Sequence, residues 1–384
     1  MEKCVIVAHG RSPIGKASKG SLSKANPVDY GAEVLKGVLK KVSVLDPLEI
    51  DDVIVGCAIP EGKMGLNPAR NIVIRAGLPE TVSAQTVNRF CASGIQSAAM
   101  GASMIMSGLQ DVVVAGGVES MSAPVLSADQ SYLNQWLMDN TDIYMPMGIT
   151  AENVAEKYGI TREAMEAMAV DSHQKASQAV EDGLFVDEII PVTGYDGEGQ
   201  AFVFSVDEGC RKETAMESLA VLKPCFKENG RVTAATSSQR SDGAAFVVLM
   251  SETKAQSLNI KPIASFVSFA VAGLDPALMG MGPVPAVKAV MKKSGLSLKE
   301  MKVIELNEAF ASQAIATMKE LGMNPANVNP RGGALALGHP LGATGTILLG
   351  KVMNCLKYQQ EAYGLVTMCI GGGMGAACII QMEG

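Results

Sequence analysis

The sequence predicts an α/β fold of two duplicated βαβ-type halves with a cap inserted between them. Three observations predict it. Short apolar strands alternate with helices at both ends of the chain. Those two regions match each other at an offset of roughly 250 residues, far longer than a solenoid period. The middle of the chain has another texture, richer in charge, Asp/Asn, Tyr and turn formers. The boundaries expected are 1–117 with 240–263 for the first half, 118–239 for the inserted cap and 264–384 for the second half.

The elements follow in order. Residues 4–7 begin a strand at once. Residues 27–36 form a proline-opened helix, matched by 283–292 in the second half. A short strand follows each, at 52–56 and 302–307. Residues 87–90 match 328–331, and each precedes a helix of small residues; the first spans about 92–106 after a strand at 82–87. The strand at 111–117 matches 365–372, and 377–380 form one more strand. In the middle, 150–158 and 161–166 read as capped amphipathic helices and 194–200 as a polar loop.

The chain has 384 residues, 48% of them hydrophobic, so it can bury a large core. Net charge is −7 and no Lys/Arg block interleaves with aromatics, which argues against nucleic acid. Apolar runs are too short to span a membrane. No signal, transit or peroxisomal address is evident, so a cytoplasmic location is expected. Eight scattered cysteines without a C-x-x-C pair read as reduced thiols. Three histidines and no Cys/His cluster make a zinc site unexpected.

Four features carry chemistry. Cys91 sits where a strand gives way to a helix, beside unpaired backbone N–H groups that favour a thiolate; a buried structural thiol is the alternative. His339 lies in a glycine-rich turn before the helix matching that of Cys91, so pseudo-symmetry can bring the two together. Cys369 ends a strand and enters a glycine turn that contains Gly371. Residues 371–376 formally match G-x-G-x-x-A, but too little chain follows for the crossover helix and acidic residue of a dinucleotide site. Asn307 ends a strand before a helix, where it either caps the helix or holds an oxyanion donor or water. Two thiols, an imidazole, an amide and glycine-rich N–H donors suit acyl transfer through a thioester.

At these residues the chain resembles the thiolase family. The motifs are N-x-x-C-x-S-G at 88–94, G-G-x-E-x-M-S at 116–122, N-E-A-F-A at 307–311, G-H-P-x-G-x-T-G at 338–345 and C-x-G-G-G at 369–373. The resemblance implies the five-layered αβαβα thiolase fold with a cap that binds CoA. It implies an acyltransferase in which Cys91 attacks a thioester, His339 activates it and Cys369 moves a proton on carbon. One oxyanion hole would come from His339 and a water on Asn307, the other from the backbone N–H groups of Cys91 and Gly371. Ser238, Met147, Met279 and Phe310 match positions lining the pantetheine and acyl tunnel. Acyl-CoA, acetyl-CoA and CoA are the implied partners, with no separate cofactor and no metal. A homodimer, or alternatively a homotetramer, is implied, with the run 111–117 covered rather than left as an open sheet edge.

The chain mixes subclass features. Pro146 stands where synthetic members commonly have His, and 236–243 and 60–62 look degradative, whereas 67–70 look synthetic. The stretch 122–144 looks shorter than a tetramer-forming loop. Two competing readings are a decarboxylating ketoacyl synthase and a degenerate thiolase acting as a lipid- or CoA-binding module. The first would want a second His, or a His/Asn pair, in place of the second cysteine, Cys369. The second would be expected to lack Cys91, His339 or Cys369.

Overall fold

A computed structural model describes residues 2–123 and 133–383. Its strands are Cys4–Arg11 (β1), Gly15–Lys16 (β2), Asp52–Gly56 (β3), Ser83–Val87 (β4), Val112–Ser120 (β5), Val192–Tyr195 (β6), Ala201–Phe204 (β7), Ser241–Ser251 (β8), Ala264–Gly273 (β9), Val303–Leu306 (β10), Tyr363–Ile370 (β11) and Met374–Met382 (β12). Its helices are Pro27–Lys40 (α1), Pro68–Arg75 (α2), Ser93–Met106 (α3), Gln135–Asn140 (α4), Met147–Lys157 (α5), Arg162–Glu181 (α6), Met216–Ala220 (α7), Glu252–Ser257 (α8), Pro283–Ser294 (α9), Ala311–Leu321 (α10), Ala334–Leu337 (α11) and Leu341–Gln359 (α12).

The repeat seen in the sequence is a repeat of topology. In the first half the strand order is β4-β3-β5-β8-β1, with β3 parallel to both β4 and β5. In the second it is β10-β11-β12-β9, with β10 parallel to β11. Val328 bridges Ile304 in parallel, at the place that β4 holds in the first half. Among the described residues the two sheets are joined into one ladder where Val5 and Ile6 of β1 pair with Ser265 and Ala264 of β9.

Side-chain alternation sets the layers. Val112 and Val114 of β5 face an outer cluster with Tyr30, Val34 and Val38 of α1. Val113 and Ala115 face a central cluster with Ala98 and Ile105 of α3 and Leu349 and Val352 of α12. Met368 and Cys378 reach the same cluster from the second sheet. On that sheet's far side Leu365 and Ile379 meet Val287 and Val290 of α9. The order is helix, sheet, central helices, sheet, helix. Most of these side chains are fully buried, each contributing ~1.5–3 kcal/mol of transfer free energy.

Several expectations change in detail. The run 111–117 is not an edge: β5 lies between β3 and β8, because β8 returns from far along the chain to pair with it. The free edge of that sheet is β4. Helix α5 starts at Met147, three residues before the expected start, whereas Thr161 does cap α6, accepting from the N–H of Ala164 at 3.2 Å. The polar segment at 194–200 is the end of β6 followed by the turn of the β6–β7 hairpin. In the shortened stretch 122–144, residues 124–132 lie outside the described residues. No described helix is long and apolar enough to cross a membrane, and all eight cysteines are unpaired.

Candidate active site

Carboxyl ends of parallel strands leave a crevice, and the chemistry-bearing residues collect there. After β4 the chain makes a tight 3-10 turn at Phe90–Ala92 and enters α3. Phe90 takes φ +44°, a left-handed conformation that a bulky side chain rarely adopts and that sets up the sharp turn at Cys91. The turn is pinned on both sides. Asn88 accepts from the N–H of Phe90 at 2.8 Å, and Ser93 Oγ accepts from the N–H of Arg89 at 2.9 Å.

The loop before α12 supplies His339, whose N–H donates to the carbonyl of Gln239 at 3.0 Å. Its Nδ1 lies 2.6 Å from Thr344 Oγ1. That hydroxyl donates to the carbonyl of Pro340 at 3.0 Å, so it accepts from the ring. The proton is therefore assigned to Nδ1, which leaves Nε2 as a free base. Nε2 lies 3.4 Å from Asn307 Nδ2. Asn307 follows β10, and its own N–H donates to Thr367 at 3.0 Å. It does not cap α10, which begins at Ala311 behind Phe310. Its Oδ1 is buried with no partner among the described residues.

Cys369 is buried near the end of β11. The turn that follows uses Gly372 and Gly373 at φ +78° and +80°, then reverses into β12 rather than into a helix, which disposes of a dinucleotide loop. The N–H groups of Gly371 and of Cys91 itself face the Cys91 sulfur. They do not make it a resting thiolate, contrary to the reading from the helix terminus. Burial dominates and pushes the Cys91 thiol up to about 11, the two N–H groups only partly offsetting it, and the buried Glu119 carboxylate adds to the rise. Burial, then the neighbouring Cys91 sulfur, holds the Cys369 thiol well above the usual range. Burial alone lowers His339 to about 4, so its ring is neutral at pH 7.

A cavity of about 420 Å³ joins these groups. Cys91, His339 and Cys369 line it, with Ser238, Met147, Met279 and Phe310, so all of those expected residues converge; Asn307 and Gly371 stand against its chemical end. Ser238 donates its N–H to the carbonyl of Ala309 at 2.9 Å, tying the inserted region to the second half. Phe226 is an addition that the sequence does not point to. It packs edge-to-face on Phe310 with ring centres 6.0 Å apart. It also lies where a Cβ on Gly148 would sit, so only glycine fits there. No local pattern singles it out. Met121, Arg240 and Leu341, also in the wall, lie within segments at 116–122, 236–243 and 338–345 that could have pointed to them.

The two halves meet main chain to main chain behind the cavity. A Cβ on Gly117 would collide with the carbonyl of Gly342, and one on Gly342 would come within 2.7 Å of Cys57 Cα. Beside them Glu119 is fully buried.

Comparison with known proteins agrees with this arrangement. The family described as "Thiolase, N-terminal domain" matches residues 4–253, and "Thiolase, C-terminal domain" matches 260–382. The 3-ketoacyl-CoA thiolase of Bacillus subtilis is 49% identical over 391 residues, covering 100% of both chains. The crystal structure of the Bacillus anthracis acetyl-CoA acetyltransferase superposes with a TM-score of 0.93 at 39% identity, covering 100% of this chain and 99% of that one. Human mitochondrial 3-ketoacyl-CoA thiolase gives 0.91 at 36% identity, with the same coverage. With two family domains spanning nearly the whole chain and a fold shared end to end with solved relatives, this protein belongs to the thiolase family.

Proposed function

We propose that the chain is an acyl-CoA:acetyl-CoA C-acyltransferase. It cleaves 3-ketoacyl-CoA with CoA and, in reverse, condenses two acetyl-CoA to acetoacetyl-CoA. The observation that carries this reading is the convergence of two thiols and a neutral imidazole on one largely apolar cavity. CoA is substrate and product, and no separate cofactor or metal enters the scheme. Neither competing reading is favoured: Cys369 fills the place where a synthase would want a second His or a His/Asn pair, and Cys91, His339 and Cys369 are all present.

The resting pair is a thiol and a neutral imidazole. Burial keeps the proton on the Cys91 sulfur and disfavours protonation of His339, so full transfer ahead of attack is uphill. Proton transfer is therefore coupled to attack. As the Cys91 sulfur bonds to the thioester carbon, its proton passes to His339 Nε2. The new imidazolium N–H, with a water held by Asn307, serves one oxyanion; the N–H groups of Cys91 and Gly371 serve the other. The tetrahedral intermediate collapses, and CoA leaves as its sulfur takes the proton of the Cys369 thiol, which leaves Cys369 as thiolate while His339 stays protonated. In condensation that Cys369 thiolate takes a proton from the methyl carbon of the second acetyl-CoA. The enolate carbon then bonds to the Cys91 acyl carbon, and the departing Cys91 sulfur regains its proton from His339. A thiol held far up its range is the stronger base when ionised, which suits proton removal from carbon. In cleavage the same thiol returns the proton to the leaving enolate.

Ser238, Met147, Met279 and Phe310 would hold pantetheine and acyl chain, and the inserted region would bind the rest of CoA. A cytoplasmic homodimer fits best, with the β4 edge and the turn at Phe90 as the surface to be covered; light scattering over a concentration series tests the dimer, and a fully active monomer would refute it. The function is tested by thiolysis of acetoacetyl-CoA, followed by loss of its enolate absorbance, together with peptide mass spectrometry after acetyl-CoA treatment. Acetylation of another cysteine, with Cys91→Ala fully active, would refute it.

A further inference from the structure

We propose that Glu119 is a positioning residue of the reaction, holding the turn of Cys91 and the loop of His339 in register across the two halves; this rests on the acyl-transfer reading above. The carboxylate sits at the end of β5 and is fully buried. No cation pairs with it among the described residues. Instead it accepts from both halves at once. Oε2 takes the N–H of Ala58 at 2.8 Å and the N–H of Gly342 at 2.9 Å, while Oε1 takes the N–H of Ile59 at 3.3 Å and the thiol of Cys57 at 3.5 Å.

Each contact leads to a reacting group within a few residues. Gly342 lies three residues after His339, in the first turn of α12. On the other side the carbonyl of Ala58 accepts from Asn88 Nδ2 at 2.9 Å, and Asn88 Oδ1 holds the N–H of Phe90, the residue before Cys91. A continuous path thus runs from Cys91 through Asn88, Ala58 and Glu119 to Gly342 and His339. The main-chain collision that a Cβ at Gly117 would cause shows how little slack exists beside it. Burying an unpaired carboxylate is costly. A structural link of the same shape could be made by apolar packing, and the cost is met here where two halves must align to a fraction of an ångström.

Glu119→Gln tests this. The amide keeps the shape but has one acceptor oxygen, so its NH2 faces a backbone N–H either way it turns: that of Ile59 when the oxygen takes the Oε2 place, or those of Ala58 and Gly342 when it takes the other, and the 57–59 loop loses at least one bond. A displacement of about 1 Å can cost ~10²-fold in rate. We expect kcat for thiolysis to fall ten- to a hundredfold, with KM within twofold, because Glu119 makes no hydrogen bond to the cavity walls at Met147, Phe226, Met279 and Phe310. Single-turnover acetylation of Cys91 should slow by the same factor. Wild-type kcat with only a lowered melting temperature would overturn the proposal, as would a rise in KM matching the fall in kcat. Should Glu119→Gln not fold, Asn88→Ala cuts the same path on the Cys91 side; the same split is expected, and wild-type kcat there would overturn it. Acetylation of wild-type Cys91 is measured first. Its absence would overturn the acyl-transfer reading and this proposal together, whereas normal acetylation in both wild type and Glu119→Gln overturns only the role of Glu119.

Discussion

Thr344→Val removes a single hydroxyl from the first turn of α12 and tests how His339 is held. Thr344 Oγ1 lies 2.6 Å from His339 Nδ1 and donates its own hydrogen bond to the carbonyl of Pro340, so it fixes the ring with the proton on Nδ1 and the lone pair on Nε2. Valine has nearly the same shape, so packing is kept while the buried ring N–H of His339 loses its partner; the carbonyl of Pro340 keeps the N–H groups of Ala343 and Thr344. Orphaning one such group costs ~1–3 kcal/mol of stability. The hydrogen bond itself is worth about 1.5 kcal/mol, and without it the imidazole is free to place its proton on Nε2, the wrong nitrogen for accepting from Cys91. At ~1.36 kcal/mol per decade, the acylation step should slow about tenfold. The assay is rapid-quench measurement of CoA release in the first turnover with acetyl-CoA, paired with thermal melting. Thr344→Ser, which restores the hydroxyl, should recover most of the rate. A Thr344→Val enzyme that loses stability but acylates within twofold of wild type would refute the argument, because the hydroxyl would then serve only the fold.

Cys369→Ser should nearly abolish exchange of the acetyl-CoA methyl protons with deuterated water while Cys91 still self-acylates; unaffected exchange would make Cys369 structural. Asn307→Ala should lower kcat by about 10²–10³ with a smaller effect on KM, as for loss of an oxyanion donor, and normal turnover with a lowered melting temperature would sink that role. Acid should destabilise the fold between pH 6.5 and 4. Burial lowers His9, His173 and His339 each from 6.5 to about 4, so the unfolded chain binds the extra protons in that window and stability falls as pH falls, by up to about 3 kcal/mol for a fully buried ring. Glu305, pushed by burial from 4.5 up to about 7, acts with the opposite sign, as do Glu119, Asp242 and Glu308, whose carboxyls burial also raises, so the net fall is smaller than three imidazoles alone would give. Urea midpoints across that range test the balance, and constant or rising stability on acidification would contradict it.

The motifs around Cys91, His339, Asn307 and Cys369 are legible in the sequence because the glycines, small residues and turn formers beside them are local demands of the backbone. The repeat tells which strands correspond, since alternation and proline-opened helices survive in both halves. Other features depend on tertiary approach. The interior position of β5 follows from β8, which arrives from residues 241–251 to separate it from β1. The upward shift of the Cys91 thiol is hidden because helix-terminal N–H groups are visible in sequence, while the desolvation that outweighs them is not. Phe226 reaches Phe310 from a stretch with no periodic signal. Glu119 stands out as an acid in a strand of Val and Ala, yet its partner Gly342 is 223 residues away.

Where Gly117 presses on the carbonyl of Gly342, no side chain is present to swing aside. Hinge opening between the halves would have to pull a pair of backbones apart, together with the hydrogen bonds of Glu119 that cross beside them. The pair of sheets therefore behaves as a fixed anvil, and traffic in and out falls to the opposite wall. That wall includes Met147, a flexible side chain at the start of α5, and Phe226 in a connecting segment, neither of them part of either sheet. Admission of substrate is thus separated from alignment of the reacting groups, so the wall can vary to suit different acyl chains while the spacing of the reacting groups stays the same.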